Sequence, residues 1–224
     1  MRLLMVNILG MVLIACTWFT VDGCRITIRN KCYYHITACV QEGSKSDIAQ
    51  HELPVGGSTF VDFGFGCSWT AGVVYASVQG RCALDGFPKA ATDRNFANLA
   101  EFTIGSKDGT DYYDLSNVNA YSHPLAIRPV AIAHGEIPKG KRCGSPTCSI
   151  SDIWATCQSN NRLHTFPTGA VSCINTDGTA GFGPTSGTRL FKRACADAYS
   201  YNFDDATSTF ICGTGTSYDV IFCP

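Results

Sequence analysis

The chain has 224 residues, 45% of them hydrophobic, with 22 Gly, 13 Cys and a formal net charge of −1. A length of this order makes one domain, or one sandwich with attached lobes. A charge this close to zero offers no electrostatic footprint for nucleic acid or an anionic membrane, and neither is expected as a partner.

Arg2 precedes a nearly continuous apolar stretch over 3–19, interrupted by Asn7, Gly10 and Thr17, and Val21-Asp22-Gly23 follows. This pattern reads as a signal peptide over 1–23, cleaved before Cys24, which predicts a secreted protein with no membrane contact in its mature form. A membrane anchor is the competing reading, but no basic stop-transfer run follows the stretch. Leu13-Ile14-Ala15-Cys16 also fits a lipoprotein box, although the apolar run continues past Cys16. Removal of the signal takes Cys16 with it. The twelve remaining cysteines, an even number in an oxidising compartment, predict six disulfides. Zinc fits the spacing poorly: four residues separate Cys143 from Cys148 and the five His are scattered. No metal or other cofactor is expected. No Asn-x-Ser/Thr sequon is present.

The remainder reads as β-structure. Residues 24–30 alternate, with Ile26 and Ile28 on one face and Arg25, Thr27 and Arg29 on the other. Residues 34–39 return after a short turn; in such a hairpin Cys24 would face Cys39, so a cross-strand disulfide is expected there. Further strands are predicted at 58–63, 71–78, 101–104, 111–115, 125–132, 207–212 and 218–222, punctuated by Gly, Asn, Asp or Pro. Residues 80–98 read as a loop. Residues 139–188 are rich in Gly, Ser, Thr and Cys, too polar to form a core without staples. One helix is predicted there, capped by Ser151 and running over 152–157; the longest helix of the chain is expected near 150–158.

Several segments, in order and well separated, resemble the thaumatin-like proteins, the fifth class of pathogenesis-related proteins. They are Arg29-Asn-Lys-Cys32, Leu99-Ala-Glu-Phe-Thr-Ile104, Asp111-Tyr-Tyr-Asp-Leu-Ser-Asn-Val118 with Pro124, Phe191-Lys-Arg-Ala-Cys195, Tyr199-Ser-Tyr201, Asp204-Asp205, Thr207-Ser-Thr-Phe210 and the final Phe222-Cys-Pro224. The resemblance implies an all-β fold: an antiparallel sandwich (24–78, 99–138 and 195–224), a small loop lobe (79–98) and a disulfide-rich lobe (139–194), together one thaumatin-like domain over 24–224. It also implies the pairs Cys32–Cys223, Cys143–Cys212, Cys148–Cys195 and Cys157–Cys173. The pairs left over, Cys24–Cys39 and Cys67–Cys82, depart from the family's usual sixteen-cysteine plan.

No Gly-x-Ser-x-Gly is present, and the glycines of 181–187 miss the dinucleotide spacing. With the mature cysteines paired, a catalytic thiol is not expected. Carboxylates are what remain. In the family a cleft between sandwich and large lobe is lined by one Arg, one Glu and three Asp. Carried over by position, the Glu falls on Glu101, the first Asp on Asp114 and the last on Asp204; the middle Asp falls on Asn119 and the Arg on Val73. A pair such as Glu101 and Asp114 could act as acid and base on a glycosidic bond if one stayed protonated and the other ionised. Turn-capping is the alternative role for Asp111, Asp114 and Asp204, as is a surface charge for Glu101. Tyr112, Tyr113, Tyr121, Tyr199, Tyr201 and Phe203 lie beside these acids, either as a carbohydrate surface or as core. The expectation is a monomeric, secreted host-defence or antifungal factor that binds a polysaccharide such as β-1,3-glucan. A weak endo-β-1,3-glucanase and an inhibitor of another secreted enzyme are the alternatives.

Overall fold

Alternation in Arg25–Asn30 buries Ile26 and Ile28 completely and leaves Arg25, Thr27 and Arg29 partly in solvent. The computed structural model describes residues 24–43, 48–63, 66–82, 93–180 and 183–224. The expected signal peptide lies outside the described residues, as do 83–92 of the small loop lobe.

The strands are β1 (Arg25–Asn30), β2 (Ile36–Glu42), β3 (Ile48–Leu53), β4 (Ser58–Asp62), β5 (Trp69–Ala76), β6 (Leu99–Ile104), β7 (Thr110–Ser116), β8 (Ala120–Tyr121), β9 (Leu125–Ala133), β10 (Thr147–Cys148), β11 (Arg162–Thr165), β12 (Val171–Ile174), β13 (Ala198–Tyr199) and β14 (Phe210–Phe222). Among the described residues, three short α-helices join them: α1 (Ile153–Thr156), α2 (Ser186–Ala194) and α3 (Asp205–Ser208). One large sheet runs β10-β9-β14-β7-β6-β5-β2-β3, and β1 bridges from β14 to β4. Because β3 leads directly into β4, the sheet curls into a near-barrel. The ladders are mostly antiparallel, but β1 runs parallel to β14 and β13 runs parallel to β7. A second, three-stranded sheet orders β11-β12-β8.

Inside the curl, Trp69, Phe102, Tyr113, Tyr218 and Phe210 form a chain of ring contacts with centroids 5.0–6.2 Å apart. Each such side chain contributes about 1.5–3 kcal/mol through its buried apolar area. Buried polar groups are tied into this core. Asp111 accepts from the Gly105 amide at 2.8 Å and from the Tyr218 hydroxyl at 3.0 Å. Asn30 donates to the Tyr34, Leu53 and Pro54 carbonyls and accepts from the Cys32 amide, which pins the end of β1 to the turn after β3.

Two expected disulfides are corrected. Cys24 pairs with Cys67, and Cys39 with Cys82, in place of Cys24–Cys39 and Cys67–Cys82. The cause is topological: β1 and β2 do not form a hairpin. β1 pairs with β4 and β14, which brings Cys24 to the chain that follows β4. β2 pairs with β3 and β5, which brings Cys39 to the chain that follows β5. The other bonds are Cys32–Cys223, Cys143–Cys212, Cys148–Cys195 and Cys157–Cys173.

The helices also differ from expectation. The longest is α2, with nine residues, not the one near 150–158. Thr185 caps α2 in a reciprocal capping box with Thr188. α1 is a single turn capped by Asp152 rather than Ser151, the Asp152 carboxylate accepting from the Ala155 amide at 3.0 Å. The expected strand over 207–212 begins as α3, and the strand over 218–222 belongs to the same thirteen-residue β14.

Candidate ligand-binding cleft

Glu101 on β6 and Asp114 on β7 are direct partners in an antiparallel ladder. Opposed residues of such a ladder share a face, with Cβ atoms about 4.5–5.5 Å apart. The two carboxyls therefore rise side by side from one sheet surface. Leu99 and Ser116 flank them, and the four form the floor of a groove of about 270 Å³. Asn119, just before β8, lies on the rim. Thr179, Tyr199 and Asn202 form the far wall, where Asn202 is held by bonds from its amide to the Gly178 carbonyl and from its side chain to the Thr179 carbonyl.

The cation of the groove is Arg94. Val73, the position matched to the family's Arg, is Glu101's partner on β5 but is buried with Cys39, Tyr75, Cys82, Ala97 and Leu99. Arg94 arrives from the 3-10 turn Asp93–Phe96. Asp93 anchors that turn, accepting from the Val78 amide at 3.0 Å and the Gln79 side chain at 3.2 Å. No spacing rule connects residues 94 and 101. The only hint in the sequence is that Arg94 is the one basic residue between Lys89 and Lys107.

Asp204 does not join the groove. Its carboxylate accepts from the Ser200 amide and hydroxyl at 3.1 and 3.0 Å, pairs with Lys192 at 3.0 Å and accepts from Thr207. It has the turn-holding role that Asp takes where loop amides need an acceptor. Its neighbour Asp205 accepts from the Tyr199 hydroxyl at 2.9 Å, and its charge reaches Asp114. Among the aromatic residues beside the acids, Tyr113 and Tyr121 are core and Tyr199 lines the groove.

The electrostatics separate the two floor carboxyls. Burial raises both pKa values. Glu101 is drawn back down by the Arg94 guanidinium and by a hydrogen bond from the Ser116 hydroxyl. Asp114 gains no such relief: burial, then the charges of Glu101 and Asp205, push it well above the usual carboxylate range. Its Oδ1 is enclosed without a hydrogen-bond partner. Asp114 is thus the member that keeps its proton as pH rises, and Glu101 the member that ionises first. The groove offers two carboxyls of unequal acidity, a guanidinium, two amides and a phenol. These are groups that bind neutral hydroxyls. Among the described residues, no cluster of His, Cys, Asp and Glu could hold a metal ion.

A near-barrel stapled by six disulfides, with a groove lined by Glu101, Asp114 and Arg94, defines a class of small disulfide-stabilised β-proteins. The sequence comparisons supply the family. The Thaumatin family model matches residues 30–224, and the chain belongs to that family. It is 28% identical to pathogenesis-related thaumatin-like protein 3.7 of Cryptomeria japonica, over 96% of this chain and 94% of that protein. It is 30% identical to pathogenesis-related 5 protein Cup a 3 of Hesperocyparis arizonica, over 89% and 100% respectively. A maize protein named alpha-amylase/trypsin inhibitor is 33% identical across 56% of this chain and 61% of its own length.

Proposed function

We propose that this thaumatin-family protein is a secreted host-defence factor that holds a polysaccharide, β-1,3-glucan foremost, in the groove over Glu101 and Asp114. The observation that carries the reading is the side-by-side pair on one sheet face, ringed by neutral hydrogen-bonding groups of Asn119, Tyr199 and Asn202. Six disulfides suit an oxidising, extracellular compartment. Among the described residues, no helix is long and apolar enough to cross a membrane.

The same geometry favours binding over hydrolysis. Glycosidases place an acid and a second carboxylate on either side of the scissile bond. Glu101 and Asp114 rise from one floor of the groove rather than from facing walls, which suits holding a sugar chain better than flanking a bond in it. The expected result is retention of the purified protein on insoluble β-1,3-glucan over chitin and cellulose, without release of reducing ends, and loss of retention in Glu101→Gln. Equal recovery on all three polymers would overturn the glucan reading. Rapid release of oligosaccharides that disappears in Glu101→Gln would establish the glucanase instead. The name of the maize relative favours a second reading, inhibition of a secreted enzyme. That reading predicts a tight complex with a glycoside hydrolase or protease, indifferent to soluble glucan.

A further inference from the structure

A second cavity, of about 370 Å³, opens away from the acidic groove, where the start of β2, the chain after β5, the residues after β8 and the β11–β12 turn meet. Its volume falls within the range of small-molecule pockets, about 300–1,000 Å³. Its chemistry is the opposite of the groove's. Among the described residues no Asp, Glu, Lys or Arg lines it, the hydroxyls of Thr37, Ser122 and Thr168 do, and the Glu52 carboxylate stands behind Thr37, from which it accepts at 3.0 Å. One wall is the ring of Tyr34, 36% exposed.

Beside Tyr34, with ring centroids 6.2 Å apart, lies His123, 8% exposed. Its orientation is set by Asn98, whose side-chain amide donates to the His123 carbonyl at 2.8 Å and whose Oδ1 accepts from the Ser122 and His123 amides at 3.1 Å. The Ser122 hydroxyl lies 3.3 Å from that Oδ1 and 3.0 Å from the ring's Nδ1. When its proton goes to Oδ1, the ring donates to it from Nδ1 and Nε2 is left as an acceptor. Nε2 has no partner among the described residues. Burial lowers the ring's pKa to about 4, so the ring is uncharged at neutral pH. The second histidine at the rim, His35, is engaged with Glu52 at 3.3 Å.

We propose that this cavity is a second ligand site, for an uncharged, hydroxyl-rich ring of monosaccharide size, which would lie against Tyr34 and donate a hydroxyl to Nε2 of His123. Nε2 is not among the enclosed polar atoms, so a ligand hydroxyl or an ordered water entering the cavity can donate to it. An aromatic face beside hydroxyls suits a pyranose. The Glu52 carboxylate at the rim, with no lining Lys or Arg among the described residues, discriminates against uronic acids and phosphorylated sugars. The site is independent of the glucan-binding groove.

The test uses the intact, disulfide-bonded protein with D-glucose, D-glucuronate and D-glucose 6-phosphate as probes, followed by heteronuclear NMR of the histidine and tyrosine rings. D-Glucose should shift the His123 Nε2 resonance and the Tyr34 ring signals saturably, and the two anions should shift them at least tenfold less. Tyr34→Ala, at a partly exposed position, should weaken glucose binding about tenfold. Glu101→Gln, at the floor of the other groove, should leave it unchanged. No saturable shift at His123 with any probe would overturn the proposal, as would equal shifts with the anions. Loss of the His123 shift in Glu101→Gln would assign the effect to the groove and overturn it too.

Discussion

Asp114 shows how one side chain sets the chemistry of the groove. Its folded-state pKa is raised by burial and by Glu101 and Asp205, so the unfolded chain releases this proton first as pH rises. The native state therefore loses stability from the ordinary carboxylate range upward, until the raised pKa is passed, and loses nothing below that range. Asp114→Asn should accordingly stabilise the protein at neutral pH by about 1 kcal/mol, or about 2–4 °C in Tm for a chain of this size. The difference should vanish in acid. Thermal melts of the two proteins across pH test this, and a variant that is less stable at neutral pH would contradict it. His123 has the opposite sign. Its pKa falls to about 4 in the folded state, so the unfolded chain takes up the proton first as pH drops. Its contribution is complete above about pH 6.5 and is lost as pH falls toward 4, a total of about 3 kcal/mol. Urea unfolding of the wild type should weaken across that window, and an NMR titration of the His123 ring should find its midpoint near the lower end.

At the scale of elements, the disulfides tie together strands that lie far apart in sequence. Cys32–Cys223 closes a separation of 191 residues, and Cys157–Cys173 only 16. Chain entropy assigns about 5 kcal/mol to the first and about 3 kcal/mol to the second. Replacing each pair with Ala should reproduce that order in the denaturation midpoint, and the reverse order would mean that native packing outweighs loop closure. Alternation made β1 legible, because a half-buried strand alternates its apolar residues, and β4, β7 and most of β9 were legible as short β-prone runs bounded by turn residues. β3, Ile-Ala-Gln-His-Glu-Leu over Ile48–Leu53, was not legible: only Leu53 is buried, so its sequence carries no apolar stripe. α2 was missed for a related reason. Gly187, Thr188 and Phe191 are its buried residues, and only Phe191 is a large apolar group. Its start is marked by a Thr–Thr capping box in a stretch otherwise read as loop.

For the whole molecule, the groove is a joint product of the large sheet and the chain around it. β6 and β7 supply the floor, while Thr179, Tyr199, Asn202 and Arg94 come from segments beyond those strands. The helices and short strands of 147–194 bury little apolar area, whereas β6, β7 and β14 lie in the aromatic core. Hydrogen exchange should therefore show residues 150–190 opening at lower free energy than β6 and β7. Removing Cys157–Cys173 should accelerate exchange in that region, leave β6 and β7 protected, and reduce retention on glucan. Uniform acceleration through both would show that lobe and sheet unfold as a unit.

The sequence by itself determined the class of fold, the even set of twelve cysteines from Cys24 onward and the two acids that line the groove floor. Each of these is written in local pattern or in ordered motifs: alternation in a strand, Cys count, and the Leu99–Ile104 and Asp111–Val118 segments. Tertiary structure alone decided which cysteines meet, because pairing depends on strand neighbours, and β1 lies beside β4 and β14 rather than beside β2. It also turned Asp204 away to hold the Ser200 loop, buried Val73 and brought in Arg94 on a turn anchored by Asp93. A charge enters a cleft from whichever segment passes near it in space. Sequence spacing does not record that proximity when the contact joins a loop to a strand through a third element.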